Sequence, residues 1–235
     1  LSLVGPFGLG LLVFAIVMFL VSSLESRKIV STFGGLFILS SMLFWGLQRQ
    51  NLEIEFTDKT ILLVQPNAPQ SEKWNEDLAP VFFNRMIKST AEANKVSLIV
   101  WPESAIYYPL NFADELVKEI SKASSGIPVA FGALRFDENK KLLNSLILHR
   151  RDEKQQIYDK SILVPFGEYL PLSYFLSNLG LSSMVNSYGA GFTPGHGADL
   201  IEVDRDFYFQ PLICYEAIFP SILRATPSRP DLVLQ

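Results

Sequence analysis

The chain has 235 residues, with 20 Lys and Arg against 24 Asp and Glu for a net charge of −4, and a single cysteine. The slight acidic excess leaves no basic stripe to neutralise phosphates, which excludes a nucleic-acid surface. One cysteine excludes an internal disulfide, and an unpaired thiol outside the cytoplasm is open to oxidation unless it has a use.

Charge is unevenly placed. In the first fifty residues the ionisable side chains are Glu25, Arg27, Lys28 and Arg49. Positions 1–24 and 29–47 carry none, and each run meets the roughly 20 apolar residues that a membrane-spanning helix needs. Two spans, about 3–24 and 29–47, are therefore predicted within a membrane segment 1–49. A secretory signal fits the first run poorly, because it lacks a basic leader and a second apolar run follows at once. The connector Glu25-Ser26-Arg27-Lys28 holds two cations, which places it in the cytoplasm and everything after Arg49 outside. Gly34, Gly35 and the serines of the second run read as helix-packing positions.

Residues 50–235 have globular composition and alternate apolar runs with helical patterns: 61–64, a helix over 81–95, 98–101, a helix over 112–123, then 129–131. That alternation is the grammar of an α/β fold. Pro80 suits the N1 position of the first helix, where Val81, Phe82, Met86 and Ile87 recur at helical spacing. Asn111 is placed to cap the second, whose inner face is Leu116, Val117, Ile120 and Ala123. After Gly132 the pattern turns to strands at 145–149, 156–164, 200–203, 208–214 and 232–234. The glycine-rich stretch 189–197 lacks the spacing of a phosphate loop and reads as a mobile loop. His149 and His196 form no ligand cluster with the cysteine, so no metal and no other cofactor is expected.

Three chemically active side chains close apolar, strand-like runs. Glu103 emerges after Leu98-Ile99-Val100-Trp101-Pro102, with Trp101-Pro102 implying a rigid turn. Lys160 precedes Ser161-Ile162-Leu163-Val164-Pro165. Cys214 follows Phe209-Gln210-Pro211-Leu212-Ile213, so a strand delivers the thiol where the chain turns polar, as α/β enzymes place reactive groups. Nucleophilicity requires thiolate, which an ordinary thiol pKa near ~8.5 supplies sparingly at neutral pH without a neighbouring base or cation. A buried lysine beside it favours the anion and donates to an oxyanion.

The set Trp-Pro-Glu-Ser at 101–104, Lys-x-x-Leu-Val-Pro-Phe-Gly-Glu at 160–168 and Ile-Cys-Tyr-Glu at 213–216 resembles the carbon-nitrogen hydrolase (nitrilase) superfamily. The stretch Val64-Gln65-Pro66-Asn67-Ala68-Pro69-Gln70-Ser71-Glu72-Lys73-Trp74 is similar to the domain opening in the membrane-bound, acyl-transferring branch of that superfamily, and the two spans agree. The resemblance implies an α-β-β-α sandwich over residues 50–235, preceded by the transmembrane helices. It implies Glu103 as general base, Lys160 as oxyanion stabiliser and Cys214 as nucleophile. Glu168, Tyr215 and Glu216 become supporting residues, and Trp74 and Phe166 substrate-binding ones.

The implied reaction moves a fatty acyl group from a phospholipid, through a thioester on Cys214, to the α-amine of a diacylglyceryl-cysteine lipoprotein. The implied setting is the bacterial plasma membrane, with the catalytic domain on its outer side. Phe166, Tyr169, Leu170 and the stretch 176–184 are expected as lipid-facing arms. Members of that branch carry more spans before this point, a polar segment after the last strand and a final membrane helix, so the chain reads as a C-terminally truncated fragment. The alternative is a membrane-tethered amidase that hydrolyses a small amide with the same triad.

Overall fold

The computed structural model describes residues 5–26, 29–53, 56–151, 154–171 and 191–235. It divides into two compact units, Leu1–Thr57 and Asp58–Gln235.

The first unit is a helical hairpin, α1 (Gly5–Ser26) and α2 (Ile29–Gln50). Both helices are long and apolar enough to cross a membrane, and they begin and end within three residues of the predicted spans. Large apolar side chains such as Phe7, Phe14, Phe37 and Phe44 are exposed, the pattern of a helix whose solvent is hydrocarbon. The helices are joined where they carry small and hydroxylated residues. Ser22 meets Ser31 at 3.2 Å and Ser23 meets Thr32, while Gly34 and Gly35 sit against Phe19 with no room to spare.

The second unit contains a five-stranded sheet in the order β1-β2-β3-β4-β5, formed by Ile61–Leu63, Leu98–Val100, Val129–Phe136, Leu142–His149 and Gln156–Asp159. Its first three strands are parallel and the last two antiparallel. Helices α3 (Ala79–Ala91) and α4 (Asp114–Ser124) supply the crossovers. They cover one face through Phe83, Met86 and Ile120, against Ile99, Phe131 and Ile147. The other face packs on a three-stranded sheet, β6-β7-β8 (Ile201–Asp204, Phe207–Pro211, Leu232–Leu234). Leu98, Ala130 and Leu148 from the first sheet meet Ile201, Phe209 and Leu234 from the second. Beyond the second sheet lies the short helix α5 (Pro220–Arg224), whose Ile222 carbonyl accepts from the buried Gln210 Nε2 at 2.8 Å. The described elements therefore stack as helix, sheet, sheet and helix, the expected sandwich.

Several boundaries differ from expectation for identifiable reasons. Helix α3 begins at Ala79, which puts Pro80 at N2 rather than N1. Asn111 does not cap α4; its side chain donates to Phe136 O and accepts from Phe136 N, tying a 3-10 turn to the end of β3. Strand β5 stops at Asp159 rather than running to 164. The amides that would continue its ladder are captured by carboxylates instead, Ser161 and Ile162 by Glu216 and Val164 by Glu168. The described part of the glycine-rich stretch is no free loop. Phe192 N, Thr193 N and Gly195 N donate to Glu168 O, Leu142 O and Lys160 O, each at 2.8 Å. A side chain at Gly195 would collide with the Asp159 backbone, so glycine is needed there for close approach rather than for mobility.

Candidate active site

Side-chain alternation explains where polar groups gather. Ala130 and Leu148 face the layer between the sheets, so Gly132 on β3 and Asn144 on β4 face it too. Lys160 N donates to Asn144 O at 2.8 Å, one step past the last ladder pair, Ser145 with Asp159. Its side chain therefore follows Tyr158 onto the same face. The inter-sheet layer is apolar along most of its length and becomes polar at this end.

Glu103 reaches this end from β2. The strand tip is fixed by Trp101, which is buried, edge-on to Phe83 at 5.7 Å, and donates through Nε1 to Thr90 Oγ1 at 2.9 Å. The Pro102-Glu103-Ser104-Ala105 turn then lies directly on Gly132. Gly132 N donates to Pro102 O at 3.2 Å and its carbonyl accepts from Ala105 N at 2.7 Å. A Cβ at 132 would stand 2.6 Å from Ser104 N and 2.7 Å from Glu103 Cα, so only glycine lets the turn sit this close. The Glu103 carboxylate accepts from Asn144 Nδ2 at 2.7 Å, and its main-chain carbonyl accepts from Lys73 Nζ at 2.8 Å. Burial pushes the Lys73 ammonium below the ordinary lysine range, while the Glu103 charge pulls in the opposite direction.

Cys214 arrives from β7 through Leu212, whose amide still pairs with Leu234 O. The thiol residue is exposed and left-handed, with φ 51°, and opens a 3-10 turn, Cys214–Ile218. A non-glycine residue held in this region stores backbone strain. Glu216 supplies the restraint. Fully buried, its Oε1 accepts from Tyr158 Oη, Ser161 N, Ser161 Oγ and Ile162 N, and its Oε2 from Ile213 N. One carboxylate thus fastens the cysteine turn to the segment that follows Lys160. Burial, together with the Glu216 and Asp159 charges, drives the Tyr158 hydroxyl well above the usual phenol range, so it remains a donor.

Glu103 and Cys214 line one open cleft of about 410 Å³, with Trp101, Gly132, Leu146 and Ile213 among its walls. Lys160 is buried nearby in the fold, its Nζ donating to Glu168 Oε1 at 2.7 Å. Its backbone is held on both sides, by Asn144 O and Gly195 N. Glu168 is fixed in turn by Val164 N on Oε2. The structure thus brings Glu103 and Cys214 to a common cleft; Lys160 is not among the residues lining it, but its amide bonds the Asn144 carbonyl, and Glu216 joins the neighbours of Lys160 and Cys214, Ser161 and Ile213. Tyr215 packs edge-on against Phe219 at 5.1 Å. Trp74 and Phe166 are exposed, at 48% and 64%, with the Lys73 ammonium 5.6 Å from the Trp74 ring centroid. Phe166 is also left-handed, with φ 62°. Tyr169 is exposed and Leu170 half-buried, while the proposed arm 176–184 lies outside the described residues.

Sequence reasoning passed over Asn144, Gly132 and Lys73. The signal for the first was present: Asn144-Ser145 interrupts an otherwise apolar strand with two adjacent polar residues, one for each face. Ser145 serves the opposite face, donating to Asp159 at 2.6 Å beside the Arg135 fork. Among the described residues no group of three or more His, Cys, Asp or Glu side chains is placed to hold a metal.

The domain is thus a four-layer α/β sandwich in which a strand-end cysteine and a carboxylate line one open cleft. The carbon-nitrogen hydrolase family matches residues 63–230, and the chain belongs to that family. Among curated relatives, the chain is similar to the apolipoprotein N-acyltransferase of Brucella suis, at 36% identity over 177 residues covering 69% of this chain and 33% of that protein. The apolipoprotein N-acyltransferase of Rickettsia bellii is 27% identical over 249 residues, covering 100% of this chain and 48% of that one. The chain thus spans a third to a half of the length of these relatives. Among solved structures, a mutant of the Nesterenkonia AN1 amidase from the nitrilase superfamily shares the fold, with TM-score 0.51 and 16% identity over 75% of this chain and 64% of that one.

Proposed function

We propose that this chain carries the catalytic domain of a membrane-bound lipoprotein N-acyltransferase, using Glu103, Lys160 and Cys214. The observation that supports it most is the open cleft shared by Glu103 and the strained, exposed Cys214, in a chain similar to proteins named apolipoprotein N-acyltransferase. Glu103 takes the thiol proton as Sγ attacks the acyl carbonyl of a phospholipid ester. The Lys160 ammonium, held by Glu168, stabilises the oxyanion. Collapse breaks the ester C–O bond, the lysophospholipid alkoxide leaves with the proton from Glu103, and the acyl group stays as a thioester. The α-amine of a diacylglyceryl-cysteine lipoprotein then attacks, loses its proton to Glu103 and expels the thiolate, which is reprotonated.

Both substrates hold their acyl chains in a bilayer, so an enzyme tethered by a membrane hairpin gains proximity for each half-reaction. The proposed setting is the bacterial plasma membrane, crossed more than once, with this domain on the outer side. Trp74 and Phe166 serve as substrate contacts, and Tyr215 and Glu216 support the turn that carries the nucleophile. The test is intact-mass analysis after incubation of the full-length protein with phosphatidylethanolamine vesicles. A fatty-acyl increment on the protein, absent from Cys214→Ala and discharged by a lipoprotein amine, is expected. Ammonia release from small amides with no acyl adduct would instead establish the amidase.

A further inference from the structure

Asn144 is an unusual choice for its position. It is 4% exposed on the inter-sheet face of β4, in line with Leu146 and Leu148, where an apolar residue would pack without an unmet polar atom. Its Nδ2 donates to Glu103 Oε1 at 2.7 Å, while its Oδ1 is buried with no hydrogen-bond partner. An ionised carboxylate accepts but cannot donate, so the amide must turn its N–H toward Glu103 and leave its oxygen stranded. An unpartnered buried acceptor opposes folding. That disadvantage is tolerated where the other half of the group serves a purpose. The same residue accepts Lys160 N on its main-chain carbonyl at 2.8 Å, so a single strand position fixes both Glu103 and Lys160.

We propose that Asn144 is the positioning residue of the site: its side-chain N–H holds one oxygen of the Glu103 carboxylate and leaves the other oxygen to take the Cys214 proton. This rests on the reading of Glu103 as the general base. The Asn144 side chain acts through Glu103. A neutral N–H aimed at the carboxylate stabilises its charge, whereas a second carboxyl group at the same place opposes it.

The experiment is alkylation of Cys214 by iodoacetamide in the full-length protein, followed by intact mass from pH 5 to 9, which needs no lipid. The variants are Asn144→Asp, Asn144→Leu and Glu103→Gln, with circular dichroism reporting folding. Asn144→Asp is nearly isosteric and keeps the test open if the leucine variant fails to fold. The expected result is an acid limb displaced upward by about one pH unit in Asn144→Asp, and a rate at neutral pH lower by on the order of tenfold in both Asn144 variants. Folded Asn144 variants with the wild-type profile, while Glu103→Gln loses most of its rate, would overturn the role of Asn144 alone. A wild-type profile in Glu103→Gln would remove the base itself and this inference with it.

Discussion

The two ends of the inter-sheet layer are built on different physics. Along most of its length Leu98, Ala130, Leu148, Ile201 and Phe209 are buried against one another, and any well-shaped hydrocarbon of similar volume would satisfy that region. At the far end Gly132, Asn144, Lys160, Glu216 and Cys214 are placed by directed hydrogen bonds and by one close backbone approach. The apolar part contributes most of the stability, and the polar part spends some of it on geometry. Burying Glu216 stabilises the fold only because five donors surround it.

That contrast can be broken most sharply at the polar end. Cys214→Ala should abolish the acyl increment and iodoacetamide labelling while leaving the thermal unfolding midpoint almost unchanged, because the side chain is exposed. In the apolar layer, Phe209→Ala should cost roughly 3–5 kcal/mol by cavity formation, yet Cys214 alkylation per folded molecule should stay near wild type. Removing Glu216 as Glu216→Ala should cost about 3 kcal/mol, since it leaves buried donors unmet. Unlike Phe209→Ala it should also slow alkylation, because the Ile213-Cys214 turn loses its tether. If those two variants proved equal in both measurements, the distinction between the regions would fail.

Gly132→Ala should be milder in stability, about 1–3 kcal/mol for local overpacking, but should slow alkylation on the order of tenfold as the Glu103 turn is pushed off β3. The smallest effect expected is a pH dependence at His149, which lies at the end of β4 away from the site. Burial holds its imidazole below the ordinary histidine range, and both ring nitrogens lack partners. A depressed folded value means the unfolded chain binds the proton first. Stability is therefore fully present above an unfolded pKa of about 6.5 and declines as pH falls below it toward the folded value. His149→Phe should flatten that decline in melting temperature between pH 7 and pH 5.

Much of this was legible in the sequence because it depended on neighbours along the chain. The uncharged runs dictated α1 and α2, period-2 and helical spacing dictated the order of strands and helices, and strand ends marked Glu103, Lys160 and Cys214. Less legible were the boundaries set by distant groups. The end of β5 depended on Glu216, more than fifty residues later in the chain, and the described part of the glycine-rich stretch proved fastened to Lys160, Glu168 and Leu142.

By itself the amino-acid order determined which segments are apolar, how their faces alternate and which reactive side chains exist, since those follow from local composition and backbone periodicity. Only the folded chain decided that Glu103 and Cys214 share a cleft, that Asn144 and Lys73 attend Glu103, and that Gly132 makes room for the turn. The reason is physical: hydrogen bonds and steric fit act between atoms a few ångströms apart in space, and chain separation places no label on them.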